Sequence, residues 1–177
     1  MKKLLISTAL LLGALNLTFA QQSPPTTETA TIGGKSITIK YAAPSVRGRE
    51  GKLFGKDGRI AQDPGYPVWR AGANAATLLT TDGTLQIGSL TVPAGSYTLF
   101  VNIADPNNWE LIVNKQTGQW GLRYDKSHDL GSVKMTMSKP AAMVEKLKYT
   151  LAGTGGANGK LTLEWENHSA SVTFTAK

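Results

Sequence analysis

Trp69, Arg70 and Asn74 fall within six residues of one another in the segment VWRAGANAAT, surrounded by alanines and a glycine. An indole, a fixed cation and an amide in so short a span could recognise a ligand. A guanidinium presents a rigid fork of donors suited to carboxylate and phosphate. An aromatic face suits sugar rings or cations. Upstream, YAAPSVRGRE supplies two further guanidinium groups, Arg47 and Arg49. Arg47, Arg49, Trp69, Arg70 and Asn74 therefore form a candidate surface for an anionic or glycan small-molecule ligand. The same residues also have a structural reading. Trp69 would pack over one end of a sandwich, Arg70 would bond loop carbonyls, and the Asn74 side chain would cap a turn. The small residues between them would let the loop lie close to a sheet. The sequence leaves both readings open.

Catalytic patterns are sparse. The chain has no cysteine and two histidines, and it carries no Gly-x-Ser-x-Gly elbow. Ser127, His128 and Asp129 are adjacent in sequence, whereas the members of a triad converge from separated positions. His128 reads as an exposed loop residue. Glu164 and Glu166 are the better enzymatic option. Two carboxyls about 5–10 Å apart serve glycoside hydrolysis, and residues i and i+2 of a strand stand roughly 6–7 Å apart. A carboxylate-dependent carbohydrate-active hydrolase is thus the alternative to a non-catalytic binding or structural module, and a solvated strand face produces the same pattern. No catalytic residue is assigned. Without cysteine a zinc–thiolate site is impossible, and two histidines cannot make a three-histidine site. No metal or other cofactor is expected. Trp109 and Trp165 occupy the apolar phase of their segments and read as core, whereas Trp120, in QTGQWG, reads as exposed.

The elements that must position these residues follow a period of two. Ala30 and Ile32 precede Gly33-Gly34, and Ile37, Ile39 and Tyr41 follow it, which is a hairpin pattern. From Ala42 to Pro67 no alternation is sustained, and a loop of that length is usually functional or disordered. Alternation returns around Asp82-Gly83 and around Pro93-Ala94-Gly95, both of which read as hairpin turns. It continues through Trp109–Val113, then Val133, Met135 and Met137 as one strand, then Met143–Leu151, Leu161–Trp165 and Val172–Phe174. This pattern predicts an all-β fold: an antiparallel, jelly-roll-like β-sandwich of about ten strands with little helix after residue 20.

The first twenty residues, MKKLLISTALLLGALNLTFA, join a basic start to an apolar run that ends in Thr18-Phe19-Ala20. That layout describes a cleaved secretory signal. The expected organisation is a signal peptide over 1–20, a disordered polar leader over 21–28 and a single domain over 29–177. Export to the periplasm or the medium follows, with no transmembrane anchor after cleavage. Without Lys2 and Lys3 the 19 basic residues become 17 against 12 acidic, a net of +5. The cations are dispersed and no nucleic-acid reading motif is present, so nucleic acid is not an expected partner. A moderate positive balance favours anionic ligands or surfaces.

Five uncommon strings occur in order: YAAPSVRGRE, PVWRAGANAATLLTT, VPAGSYTLF, WELIVNKQTGQWG and LTLEWENHSASVTF. Together they resemble the secreted bacterial family known as domain of unknown function 2911, from about Thr29 to Phe174. The resemblance implies export and a single β domain. It implies no catalytic residues. FGKDGRIAQDPGYPVW is longer and more varied than the matching family stretch.

Overall fold

The computed structural model describes residues 23–177. The expected signal peptide over 1–20 and the first two residues of the expected leader lie outside the described residues.

Thirteen strands form two antiparallel sheets. The strands are β1 (Pro25–Ile32), β2 (Lys35–Ala42), β3 (Val68–Trp69), β4 (Thr77–Thr81), β5 (Leu85–Ile87), β6 (Leu90–Val92), β7 (Gly95–Asn102), β8 (Glu110–Asn114), β9 (Asp129–Lys134), β10 (Thr136–Ser138), β11 (Val144–Gly155), β12 (Asn158–Glu166) and β13 (His168–Ala176). One sheet has the order β1-β2-β4-β7-β8-β9, with β3 also on β7; the other runs β11-β12-β13-β5-β6, with β10 on β13. Two single 3-10 turns, Ile60–Gln62 and Lys126–His128, are the only helical elements among the described residues. The all-β sandwich read from alternation is the observed architecture.

Alternation places Ile37, Ile39, Leu79, Leu99, Val101, Leu111 and Val113 on the inner face of the first sheet. Leu147, Leu161, Leu163, Val172 and Phe174 meet them from the second, and all of these residues are buried. Each such side chain contributes about 1.5–3 kcal/mol when fully removed from water. The Gly33-Gly34 turn joins β1 to β2 as expected, with both glycines at positive φ (59° and 78°). A two-residue loop of that kind matches the twist of its strands.

Four expectations are corrected. The leader expected to be disordered through Glu28 instead enters β1 at Pro25, where Thr27 and Glu28 already pair with Lys40 and Ile39. Asp82-Gly83 is not a hairpin turn but a crossing between sheets. The Asp82 carboxylate accepts from the Ser36 N–H at 2.8 Å on one side, and Thr84 exchanges backbone bonds with Lys177 on the other. Pro93–Gly95 is a second crossing, from β6 in one sheet to β7 in the other. The hairpin in this region is β5–β6, closed at Gly88-Ser89. Finally, Val133 to Met137 is two strands, because the chain changes sheets at Met135, whose N–H bonds the Trp109 carbonyl at 2.8 Å.

Strand β7 explains how the VWRAGANAAT segment is displayed. β3 pairs with one end of β7 through Trp69↔Val101, and β4 pairs with the same strand further along, from Thr77↔Leu99 to Thr81↔Gly95. Residues 70–76 therefore leave the sheet between two contacts with a single strand and then return to it. The excursion needs sharp turns, and Ala71 and Asn74 take positive φ (45° and 61°) to make them. Asn tolerates this region better than Ala, for which it costs energy.

Candidate functional site

One end of the sandwich is closed by the loop over residues 43–67. Sequence alone leaves this loop as functional or disordered, yet it packs inward. Val46, Leu53 and Ile60 are buried, and Phe54 enters a cluster with Trp69, Trp109, Trp165 and His168. Trp69 stacks on Trp165 with centroids 5.9 Å apart and planes at 13°, and meets Trp109 and Phe54 edge-on. Its 3% exposure makes it part of the core rather than an open stacking platform.

Polar contacts tie the loop down. Arg49 donates from Nε to the Val46 carbonyl at 2.8 Å and from a terminal nitrogen to the Ser45 carbonyl at 2.7 Å. The Gly51 N–H donates to the Glu166 carboxylate at 2.7 Å, and Asn167 donates to Glu50 at 2.8 Å. The excursion over 70–76 has its own anchors. The Tyr149 hydroxyl donates to the Ala71 carbonyl at 2.9 Å, and the Thr77 hydroxyl lies 3.2 Å from the carbonyls of both Arg70 and Ala71. Burial pushes the Tyr149 phenol well above its ordinary pKa, so it stays a donor.

Between these two loops lies a cavity of about 210 Å³. Arg49, Arg59, Arg70 and Asp63 supply its charged walls, over a floor that includes Leu53, Trp69 and Trp165. Arg70 lies 3.5 Å from the Asp63 carboxylate, and both side chains are mostly covered. Two donors here have no acceptor: Arg70 Nε and the indole Nε1 of Trp165 are buried and unpartnered. Buried N–H groups are nearly always bonded, and these two belong to residues that line one cavity. The guanidinium groups also have capacity to spare. Each carries five N–H donors, and Arg59 directs one to Gln62 at 2.9 Å. Gly121 leaves room for Arg70, because a Cβ at that position would sit 2.4 Å from Arg70 Cδ and 2.7 Å from the Asn74 carbonyl.

The five candidate residues divide. Arg49, Trp69 and Arg70 share the cavity. Arg47 does not line it; it is exposed at positive φ (51°), and its N–H donates to Glu145 at 2.9 Å. Asn74 lines a separate groove of about 460 Å³ against β1, β2 and β4. Its backbone carbonyl accepts from the Gly121 N–H at 2.9 Å. Arg70 pairs with a carboxylate where sequence pointed to loop carbonyls. Arg59, Asp63 and the Trp165 indole were missed. Arg59 was visible only as one more cation in a long loop, and nothing in the alternation of β12 reveals that Trp165 Nε1 lacks an acceptor.

The carboxylate pair does not form. Glu164 meets Lys148 at 2.9 Å, while Glu166 is turned inward by its positive φ (56°) and is buried. Of the described residues lining the cavity, Asp63 alone carries a carboxylate. His128 is half exposed, with the Ser127 hydroxyl bonded to Asp125 at 2.7 Å, so the Ser127-His128-Asp129 string makes no triad. Trp120 is 50% exposed, as its turn position suggested. Among the described residues no group of three or more His, Cys, Asp or Glu side chains gathers to hold a metal ion. None of their helices is long and apolar enough to cross a membrane.

A family model described as a protein of unknown function, DUF2911, matches residues 23–174. The chain belongs to this family. The match takes in both loops and every residue that lines the arginine cavity, so the site lies wholly inside the family domain. No curated protein and no solved structure matches the chain.

Proposed function

We propose that the protein is an exported, non-catalytic binding domain whose ligand is a small hydroxylated carboxylate, of the size and chemistry of a sugar acid, held in the cavity of Arg49, Arg59 and Arg70. The observation that carries this reading is the convergence of three guanidinium groups, Arg49, Arg59 and Arg70, on one small cavity. Two of the lining residues, Arg70 and Trp165, also carry a buried donor without a partner. Such a donor forfeits about 1–3 kcal/mol, and a small side-chain shift that turned it to a ligand oxygen would recover part of that. Three guanidinium groups favour an anion, and their planar forks favour a carboxylate or phosphate. Asp63 divides those two. A carboxylate on the cavity wall repels a phosphate dianion more than a monoanion, and it offers acceptor oxygens to ligand hydroxyls. The volume, below the about 300–1,000 Å³ of clefts that take drug-sized ligands, points to a single-ring or shorter molecule. Because Trp69 is covered by its neighbours, the ligand meets indole N–H and edge rather than an open ring face.

Isothermal titration with D-galacturonate, D-galactose and inorganic phosphate tests the reading. Galacturonate is expected to bind saturably and more tightly than the other two. Arg70→Ala is expected to weaken it at least about tenfold, the cost of one charge-assisted hydrogen bond. Equal binding of all three compounds, or an unaffected Arg70→Ala protein, would contradict it. Export rests on the pattern of residues 1–20 and on the family resemblance. The native protein is expected to begin at Gln21, and an intact Met1 in its mass spectrum would refute this.

A further inference from the structure

On the far side of the aromatic cluster a second, smaller cavity opens, of about 140 Å³. Phe54, Ile103, Pro106 and the rings of Tyr66 and Trp109 make its largely apolar walls, and His168 and Lys56 add an imidazole and an ammonium. His168 is held like a tool. Its ring stacks on Trp109 at 5.4 Å with planes at 11° and leans on Phe54 at 4.3 Å. Its Nδ1 is buried 3.3 Å from a Glu166 carboxylate oxygen. That contact is too poorly aligned to count as a full hydrogen bond, so its effect is electrostatic, and it still selects the tautomer. With a carboxylate facing Nδ1, the form protonated there avoids lone-pair repulsion and leaves Nε2 as a bare acceptor. Burial pushes the imidazole pKa below its ordinary value despite the pull of Glu166, which keeps the ring neutral near pH 7. Glu166 itself is fixed by the Gly51 N–H and sits at φ 56° at the end of β12, where the chain turns tightly into β13 and a glycine or asparagine would be unstrained. A strained non-glycine residue that orients another side chain is a common feature of sites.

We propose that this cavity is a second binding site, distinct from the arginine cavity, for a small aromatic compound bearing one hydroxyl, with the ring among Phe54, Tyr66 and Trp109 and the hydroxyl donated to His168 Nε2. A largely apolar enclosure with an oriented imidazole acceptor selects such a ligand over a plain hydrocarbon. It also disfavours a cation, because Lys56 lies on its wall.

Phenol and toluene serve as the probes, with binding followed by NMR on the full mature chain. Phenol is expected to bind more tightly than toluene by about fivefold, the factor one neutral hydrogen bond is worth. His168→Phe keeps a ring in the stack and removes the acceptor, so it is expected to abolish that preference while still binding toluene. Imidazole nitrogen shifts in the unsubstituted protein provide a readout that does not depend on the variant folding. They are expected to report protonation at Nδ1 and a shift of Nε2 on adding phenol. Protonation at Nε2, an unchanged Nε2 signal at saturating phenol, or equal binding of the two probes would overturn the proposal. So would displacement of phenol by galacturonate, which would merge the two cavities into one site.

Discussion

Two long loops cover buried apolar surface in this molecule, and they treat their polar groups in opposite ways. Residues 115–128 lie over the outer face of the first sheet, where Phe100 and Ile112 are buried on the side away from the sandwich core. Among the described residues, none of the buried side-chain donors and acceptors that hold this loop lacks a partner. The Asn114 amide donates to the Asp125 carbonyl at 2.9 Å and to the Asp129 carboxylate at 2.8 Å, while its oxygen accepts from the Gln116 N–H at 2.9 Å. Tyr124, edge-on to Phe100, donates to the other Asp129 oxygen at 2.6 Å. Burial, reinforced by that carboxylate, pushes its phenol far above the ordinary value. The loop over residues 43–67 also covers apolar residues, but around it Arg70, Trp165 and His168 each keep a buried nitrogen without a hydrogen-bond partner. A loop that serves only to cover a sheet satisfies its donors internally. On the proposed reading, the unpaired donors of Arg70 and Trp165 are kept for a ligand.

The largest effect expected from breaking the second region is Trp69→Ala. Trp69 stands at the centre of the aromatic cluster, and its truncation is expected to cost about 3–5 kcal/mol in denaturant unfolding. A loss under about 1 kcal/mol, the level of ordinary surface changes, would mean that the cluster does not hold the loop.

Asn114→Ala and Arg70→Ala sharpen the contrast directly. The first strands several buried partners and is expected to cost about 1–3 kcal/mol, with galacturonate affinity unchanged. The second removes one partner of a single, mostly covered ion pair 3.5 Å long and is expected to cost a similar amount, about 1–3 kcal/mol, with galacturonate affinity lost. If the two variants exchanged these phenotypes, the covering loop would be the site.

The pH dependence is smaller. The folded pKa of His168 lies below its unfolded value of about 6.5. Below that value the unfolded chain takes up a proton more readily than the folded one. Stability is therefore complete above the unfolded pKa and declines as pH falls through the folded one. The midpoint of urea unfolding is expected to fall more between pH 7.5 and 5 in the unsubstituted protein than in His168→Phe. Parallel curves would show that burial does not hold this ring neutral.

How much of this was legible in the sequence depends on the range of the forces involved. Period-two alternation reports one face against another, so the all-β class, the buried Trp109 and Trp165 and the Gly33-Gly34 hairpin could all be read directly. Which sheet a strand joins is a long-range matter. Asp82-Gly83 has the local chemistry of a hairpin, yet the strands on either side of it pair with β2 and β7 in one sheet and with β13 in the other. Within the site, Trp69 and Arg70 were found because their types are unusual for a loop. Arg59 and Asp63 were not, because only the fold of the 43–67 loop brings them to the cavity that Arg70 also lines. Glu166 looked like a solvated strand residue until its positive φ placed it inside. An orphaned donor has no sequence signature at all, since it is defined by an acceptor that is missing.

The most direct test of the difference between the loops is to follow the Trp165 indole N–H and the Asn114 side-chain amide by NMR in one titration with galacturonate. The expected result is a saturable shift of the Trp165 indole signal, lost in Arg70→Ala, with the Asn114 signals unmoved. An indole signal that stays fixed at saturating galacturonate, or one that shifts equally without Arg70, would contradict the assignment of these donors to a ligand.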